Sequence, residues 1–372
     1  MAIITPEKVK RGLRIFLLIT ILTLLVLFFF TVRKETLRQE TWEGLKQIKT
    51  TFLLLALFIT LLRLYGETLR IQVLAWAGGK WISLKDSLDL NLGSLFLGAV
   101  TPFQSGGIPL QLYILNKSGL SIGRGTNVIL LKGLLPSLLF LISIPFIIFY
   151  FGDLELFDHP LIRTLARYIF SLYLLLIFLL FYLLLNPPWF KKGLLRLEGF
   201  LRRRGIVKGE WGLKLLEKGF LQLEEFKKGL KESIGIGRMK LLLAFLLSII
   251  GLALHLITAP VLLLGLGLNP PFLTTMVLQM LLYFLLLFVP TPGASGIAEL
   301  GGFALFSLVC PDHLLLPFIF LWRFFYLYLA AAIGGGLLLQ RVKRSGIQMN
   351  ASTEKKDPPF SISSHSRNSE GQ

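Results

Sequence analysis

The sequence predicts an all-α polytopic integral membrane protein, an inverted-topology repeat with two broken, re-entrant helix pairs. Three observations carry this prediction. The chain is 54% hydrophobic, with a mean hydropathy of +0.71. Several apolar runs are long enough to cross a bilayer core, which takes roughly 20 helical residues. A ten-residue pattern, T-P-x-x-S-G-x-x-x-L, occurs twice, as TPFQSGGIPL at 101–110 and as TPGASGIAEL at 291–300, about half a chain length apart. Pro removes a backbone donor and Gly costs backbone entropy, so each copy interrupts a helix. Broken backbone at membrane depth must be satisfied by protein or by a water-lined cavity. Interruptions at matching places in two halves point to a midplane binding site in a repeated transporter.

Taken in order, the first apolar run is Ile15 to Val32, preceded by Lys8, Lys10, Arg11 and Arg14. It is too long for a signal-peptide core, and Phe28, Phe29 and Phe30 stand where cleavage needs small residues, so it reads as a span. Further runs centre on Thr51 to Leu62, Val128 to Phe151, Tyr168 to Leu185, Leu241 to Leu266, Phe272 to Val289 and Leu314 to Leu339. The simplest count is about six full spans plus two re-entrant pairs, or six to eight crossings in all, since the arms at 84–100 and 271–290 are long. The membrane unit covers residues 1–340, with repeat halves of roughly 51–186 and 239–340.

Between the halves lies the largest polar insertion, 187–240, dense in Lys and Arg and therefore cytoplasmic. Within it Leu216, Phe220, Leu223, Phe226 and Leu230 recur at helical spacing. This is an amphipathic helix, lying on the membrane surface or packed under the protein's own cytoplasmic face. The connections at 151–160, 265–272 and 310–313 lack Lys and Arg and face outward. Arg341, Lys343 and Arg344 face inward, and the serine-rich segment within 341–372 reads as a disordered cytoplasmic tail. Both termini are then cytoplasmic, in the cell inner membrane. This topology leaves the connection at 33–49 outside in spite of its basic residues. The first motif is flanked by Lys80, Lys85, Lys117 and Arg124 and enters from the cytoplasm; the second lies between outward connections and enters from outside. Opposite entry is what an inverted repeat requires.

The net charge of +18 would suggest nucleic acid in a soluble protein. Here basic loops that touch anionic lipid account for it, so the expected partners are membrane lipids and no nucleic acid. Self-association is left open. Cys310 is the single cysteine, so no disulfide can form within the chain. The four histidines are scattered, and neither a metal nor a cofactor is expected.

Behind each motif the chain enters another apolar helix carrying a cation: Lys132 in VILLKGLLP and Arg323 in FIFLWRFFY, at closely matching offsets. A charge at a helix centre in lipid costs about 2.5–3.5 kcal/mol even on the lenient insertion scale, so such charges are expected to bind an anion or a buried carboxylate. Glu299, within the second motif, is the carboxylate at hand and can pair with Arg323 or Lys132, or carry a proton. Thr101, Gln104, Ser105, Thr291 and Ser295 supply polar side chains that contact a substrate or cap broken helix ends, and Gly106, Gly293 and Gly296 open the backbone beside them. Arg63 and Glu67 have ion-pair spacing on the second span, Asp86 and Asp89 read as capping groups, and His255 reads as a packing histidine.

Three passages resemble one known family. LGSLFLGAVTPFQSGGIPLQLYILNKSGLSIGRG at 92–125 is similar to its broken segment and small-residue turn. VPTPGASGIAEL at 289–300 is similar to its Pro-Gly-Gly-x-Gly-x-x-Glu motif, with Glu299 in the Glu position, and LWRFFYLYL at 321–329 to its Tyr-Arg-aromatic helix. The family is the membrane-embedded flippase region of the lysylphosphatidylglycerol synthases, together with stand-alone members lacking the aminoacyl-transfer domain. Relatives often carry a Glu-Arg pair where this chain has Lys132 and Gly133, which leaves the lipid head group open. The resemblance implies movement of an anionic phospholipid or polyprenyl-linked lipid between leaflets, without enzymatic activity. Two alternatives stand beside it. One is a polyprenyl-phosphate phosphatase or transferase, suggested by Pro292-Gly293-Ala294-Ser295 but without the glutamate cluster such enzymes carry. The other is a small-solute secondary transporter.

Overall fold

The structure, a computed structural model, describes residues 35–151, 225–235, 237–286 and 289–354, together with isolated helical positions elsewhere. The predicted spans at 15–32 and 168–185, most of the 187–240 insertion and the tail beyond 354 lie outside the described residues. Within them every regular element is helical, as the all-α reading expects.

The chain runs through α1 (Glu35–Lys46), α2 (Thr50–Ala77), α3 (Leu84–Val100), a 3₁₀ turn (Pro102–Gln104), α4 (Gly107–Lys117) and α5 (Ile122–Phe151). It resumes as α6 (Arg238–Gly265), α7 (Phe272–Leu286), a second 3₁₀ turn (Pro292–Ala294), α8 (Ile297–Phe306), α9 (Asp312–Arg323), a π-helical turn (Phe324–Tyr328) and α10 (Leu329–Glu354). The lengths repeat. α2 and α6 both have 28 residues, α3 and α7 have 17 and 15, and α4 and α8 have 11 and 10. Each series closes on a largely apolar helical stretch of 30 residues, Ile122–Phe151 and Asp312–Arg341. Three described helices are long and apolar enough to cross a membrane: Thr50–Ala77, Arg238–Gly265 and Asp312–Arg341.

Local chemistry sets the ends of these helices. Ser83 caps α3, its hydroxyl accepting the Asp86 N–H at 3.0 Å. α2 stops at Gly78 and Gly79, where φ of +99° suits only glycine without strain, and α6 stops before Gly267 and the pair Pro270-Pro271.

α2 lies along α6. One apolar core gathers Ala259, Leu262, Leu282, Ala298, Phe306, Phe318 and Trp322 around the second turn. A second gathers Ile71, Leu74, Phe96, Leu110, Ile114 and Val128 around the first. α10 crosses back from the second half to pack on α3. The approach is close enough that a Cβ on Gly334 would overlap the Leu92 carbonyl oxygen. The same two helices are tied at their ends by Arg341, which donates to Asp89 at 2.6 Å and to Asp86 at 2.9 Å. Those aspartates therefore hold the last span as well as opening α3. Burial works to raise the Asp86 pKa, but hydrogen bonds from Ser83 and Arg341 and the Arg341 charge outweigh it and hold the carboxyl below its ordinary 3.8.

The described part of the insertion packs on the protein. Arg124 at the start of α5 donates to Glu225 at 3.0 Å and Glu232 at 3.3 Å, and Ser233 donates to the Ala77 carbonyl at 3.2 Å. Leu230 joins the first-half core. Residues 225–235 thus pack against the protein's own helices. Beyond the last span, the tail expected to be disordered begins as a continuation of α10 to Glu354.

Candidate functional site

The two T-P-x-x-S-G turns share one backbone shape. At the third and fourth positions of each, Phe103 and Gln104 in the first and Gly293 and Ala294 in the second, φ lies between 52° and 59°. This left-handed conformation costs a residue with a Cβ about 1–2 kcal/mol. Three of the four positions bear that cost, so the shape is imposed by its surroundings. The two turns touch: the Phe103 N–H donates to the Pro290 carbonyl at 3.3 Å, and a Cβ on Gly293 would stand 3.3 Å from the Ala99 carbonyl oxygen.

Each turn is closed by its own threonine. Thr101 donates to the Leu97 carbonyl at 2.7 Å and accepts the Gly106 N–H at 2.9 Å, and Thr291 donates to the Ser295 carbonyl at 2.8 Å. Gly106 has no room for a side chain, because a Cβ there would meet Thr101 at 2.8 Å. Gln104 and Ser105 are exposed at the first turn.

Behind the second turn stands a buried ion pair. Arg323 Nε lies 2.8 Å from Glu299 Oε1, with the side chains 1% and 2% exposed. The contact is misaligned as a hydrogen bond, and Nη1 also lacks a partner among the described residues. Nη2 donates to the Gly293 carbonyl at 3.1 Å and to Ser295 Oγ at 3.3 Å. The other Glu299 oxygen accepts the Gly296 N–H at 2.6 Å. Thus Gly293, Ser295, Gly296, Glu299 and Arg323 form one connected unit, in which Arg323 Nη2 holds the turn and the carboxylate holds the start of α8. The π-helical turn follows Arg323 directly. Tyr328 lies under the guanidinium, 5.5 Å from it to the ring centroid, and Tyr326 is stacked on Trp322 with centroids 5.2 Å apart.

Lys132 belongs to a different group. Its charged neighbours are Glu67 and Arg70 of α2. Glu67 pairs with Arg70 at 2.5 Å, not with Arg63 as the sequence spacing suggested. Spacings of three and four residues both bring side chains together on a helix, and only the structure separates them. These charges also lie further from the helix end than the sequence indicates. The apolar run ends at Leu62, but α2 continues to Ala77, which puts Arg63 at its middle. His255 is packed against Tyr283 and Tyr326, at ring separations of 5.0 and 5.4 Å, as a packing histidine would be.

The comparisons with known proteins agree with this architecture. The family described as lysylphosphatidylglycerol synthase TM region matches residues 15–334. A relative described as a UPF0104 membrane protein, from Archaeoglobus fulgidus, is 24% identical over 290 residues, covering 78% of this chain and 86% of the relative. A membrane-embedded, all-α chain matched from its first predicted span through both broken turns belongs to the lysylphosphatidylglycerol synthase transmembrane-region family.

Proposed function

We propose that the protein moves an anionic lipid, a phospholipid or a polyprenyl-linked lipid, between leaflets of the cytoplasmic membrane, with both termini on the cytoplasmic side. The observation that carries this reading is the contact between the two broken turns, Phe103 N–H to Pro290 C=O, with a buried ion pair behind one of them. Two half-helix breaks that meet inside an apolar bundle make a polar passage for a head group while lipid tails remain in the bilayer. In this reading the turns lie near the bilayer midplane, related by a pseudo-two-fold axis, with Gln104 and Ser105 facing the passage. The Glu299 carboxylate neutralises Arg323 in the resting state. An arriving phosphate competes for the guanidinium and loosens the second turn, which Nη2 holds through Gly293 and Ser295. No bond is made or broken, so the reading is transport and not catalysis.

The test is leaflet exchange of a fluorescent anionic phospholipid in liposomes containing the purified full chain, read by dithionite quenching. Exchange faster than in protein-free liposomes is expected. Arg323→Lys keeps the charge but loses the fork, and at least one charged hydrogen bond with it, so exchange should slow by about tenfold or more. Protein-containing liposomes that exchange at the protein-free rate overturn the proposal.

A further inference from the structure

A second group of charges stands on α2 and α5, with Arg63 in Coulombic reach of Tyr326, which Arg323 also reaches. Arg63, Glu67 and Arg70 follow one another along α2, and Lys132 approaches from α5, within Coulombic reach of Glu67 and Arg70. Arg70 is 3% exposed. Its Nη2 meets Glu67 at 2.5 Å and its Nη1 donates to Ser248 Oγ on α6 at 3.0 Å, while its buried Nε has no hydrogen-bond partner. Gly251 on α6 leaves room for the carboxylate, since a Cβ there would stand 3.1 Å from Glu67 Oε1. Tyr283 of α7 lies in reach of Glu67, Arg63 and Arg70, and His255 of α6 in reach of Arg63. Arg63 and Lys132 are half-buried, and among the described residues neither has a hydrogen-bond or ion-pair partner.

Three cations therefore face one carboxylate between apolar helices, leaving two positive charges without compensation among the described residues. Uncompensated charge in such a place is costly and is retained where an anion supplies the missing partner. The orphaned Arg70 Nε and the half-buried Arg63 and Lys132 offer donors to that anion. We propose that Arg63, Arg70 and Lys132 form a phosphate-binding site that does not use the Glu299–Arg323 pair. A phosphate group suits it, because its several oxygens can accept from two guanidinium forks and an ammonium together. The phosphate arrives on a lipid head group or as the free ion. The lipid source rests on the transport reading; the anion site does not.

The test measures phosphatidylglycerol retained by the detergent-purified full chain, by native mass spectrometry, alongside the shift in thermal unfolding midpoint on adding inorganic phosphate or phosphatidylglycerol to delipidated protein. Arg63→Gln with Lys132→Gln removes two cations and leaves the Arg70, Glu67 and Ser248 contacts in place. Its anion binding should fall by about tenfold or more, and Arg63→Lys with Lys132→Arg should retain it. Glu67→Gln removes the opposing charge and should tighten binding, a direction that loss of a purely structural pair does not give. A phosphate response in wild type assigns the free ion, and a response to phosphatidylglycerol alone assigns the lipid. Absence of both, or undiminished binding in the double glutamine variant, overturns the site. If that variant does not fold, Glu67→Gln decides: unchanged or weaker binding overturns the site. Leaflet exchange is read separately. Wild type that binds the lipid without exchanging it refutes the transport reading and leaves the site standing. Wild-type exchange with undiminished binding in the double variant does the reverse.

Discussion

At the first turn, Phe103 and Gln104 occupy the left-handed positions and are exposed, Phe103 to 68%; at the second, Gly293 and Ala294 occupy the same positions and are buried. The first turn is closed by a threonine and carries no charge. The second is closed by a threonine and is also held from behind by Arg323, itself neutralised by Glu299. Pro109 stands in the first copy where Glu299 stands in the second, and it is exposed. One backbone shape is thus kept by two means: the Thr101 closure and the contact with Pro290 at the exposed turn, and a buried charge pair behind the other. The second is expected to be far more sensitive to substitution.

The largest test of that asymmetry is Glu299→Ala against Pro109→Ala. Removing the carboxylate leaves the Arg323 charge buried and unpaired, which costs about 3–5 kcal/mol. Pro109→Ala at an exposed site should stay within about 0.5 kcal/mol. Thermal unfolding in detergent reads both, and equal effects would break the comparison. Next is Gly293→Ala. Its φ is +59° and a Cβ would stand 3.0 Å from Leu327 Cδ2 and 3.3 Å from the Ala99 carbonyl, so strain and overpacking together should cost about 1–3 kcal/mol. Gln104→Ala, at the neighbouring position of the exposed turn, should again cost little.

A smaller effect separates the buried pair from the half-exposed clamp at Arg341. The folded Asp86 carboxyl titrates below 3.8, so its contribution is fully present above that pH and is lost as pH falls through the lower, folded value. Asp86→Asn should therefore lower the unfolding midpoint near neutrality, by an amount equivalent to about 1 kcal/mol or less, and the difference from wild type should shrink in strong acid. A difference that grows on acidification contradicts the assignment. The smallest expected change is Phe103→Gly. Relief of left-handed strain, about 1–2 kcal/mol, is offset by about 0.4–1 kcal/mol of unfolded-chain entropy. A net gain of roughly 0.5 kcal/mol should appear as a slightly higher midpoint.

Much of this was legible beforehand. Hydropathy gave the membrane class, the repeated T-P-x-x-S-G gave the two breaks, and the cost of a buried charge made Arg323 or Lys132 the expected partner of Glu299, of which the structure joins Arg323 at 2.8 Å. What escaped the sequence did so for physical reasons. Arg63 truncates the apolar run, so the helix that continues through Glu67 and Arg70 to Ala77 looked as if it ended sooner. Hydropathy scores each charge as if it were alone, while Arg70 is accommodated by Glu67 and Ser248, the latter far away in the chain. Lys132 matches Arg323 in offset but not in neighbours, because offset fixes position along a helix and leaves its surroundings to packing. The π-helical turn after Arg323 has no proline to announce it.

The glycine contact between α10 and α3 bears on the order of events during synthesis. Gly334 meets the Leu92 backbone, and Arg341 grips Asp86 and Asp89. The first broken hairpin is therefore made by the ribosome well before α10, and receives its clasp only when α10 emerges. Until then its interrupted backbone must wait beside the insertion machinery or against α2. A Gly334→Leu chain should accordingly stall as a protease-sensitive intermediate in the first half, although the altered residue lies in the second.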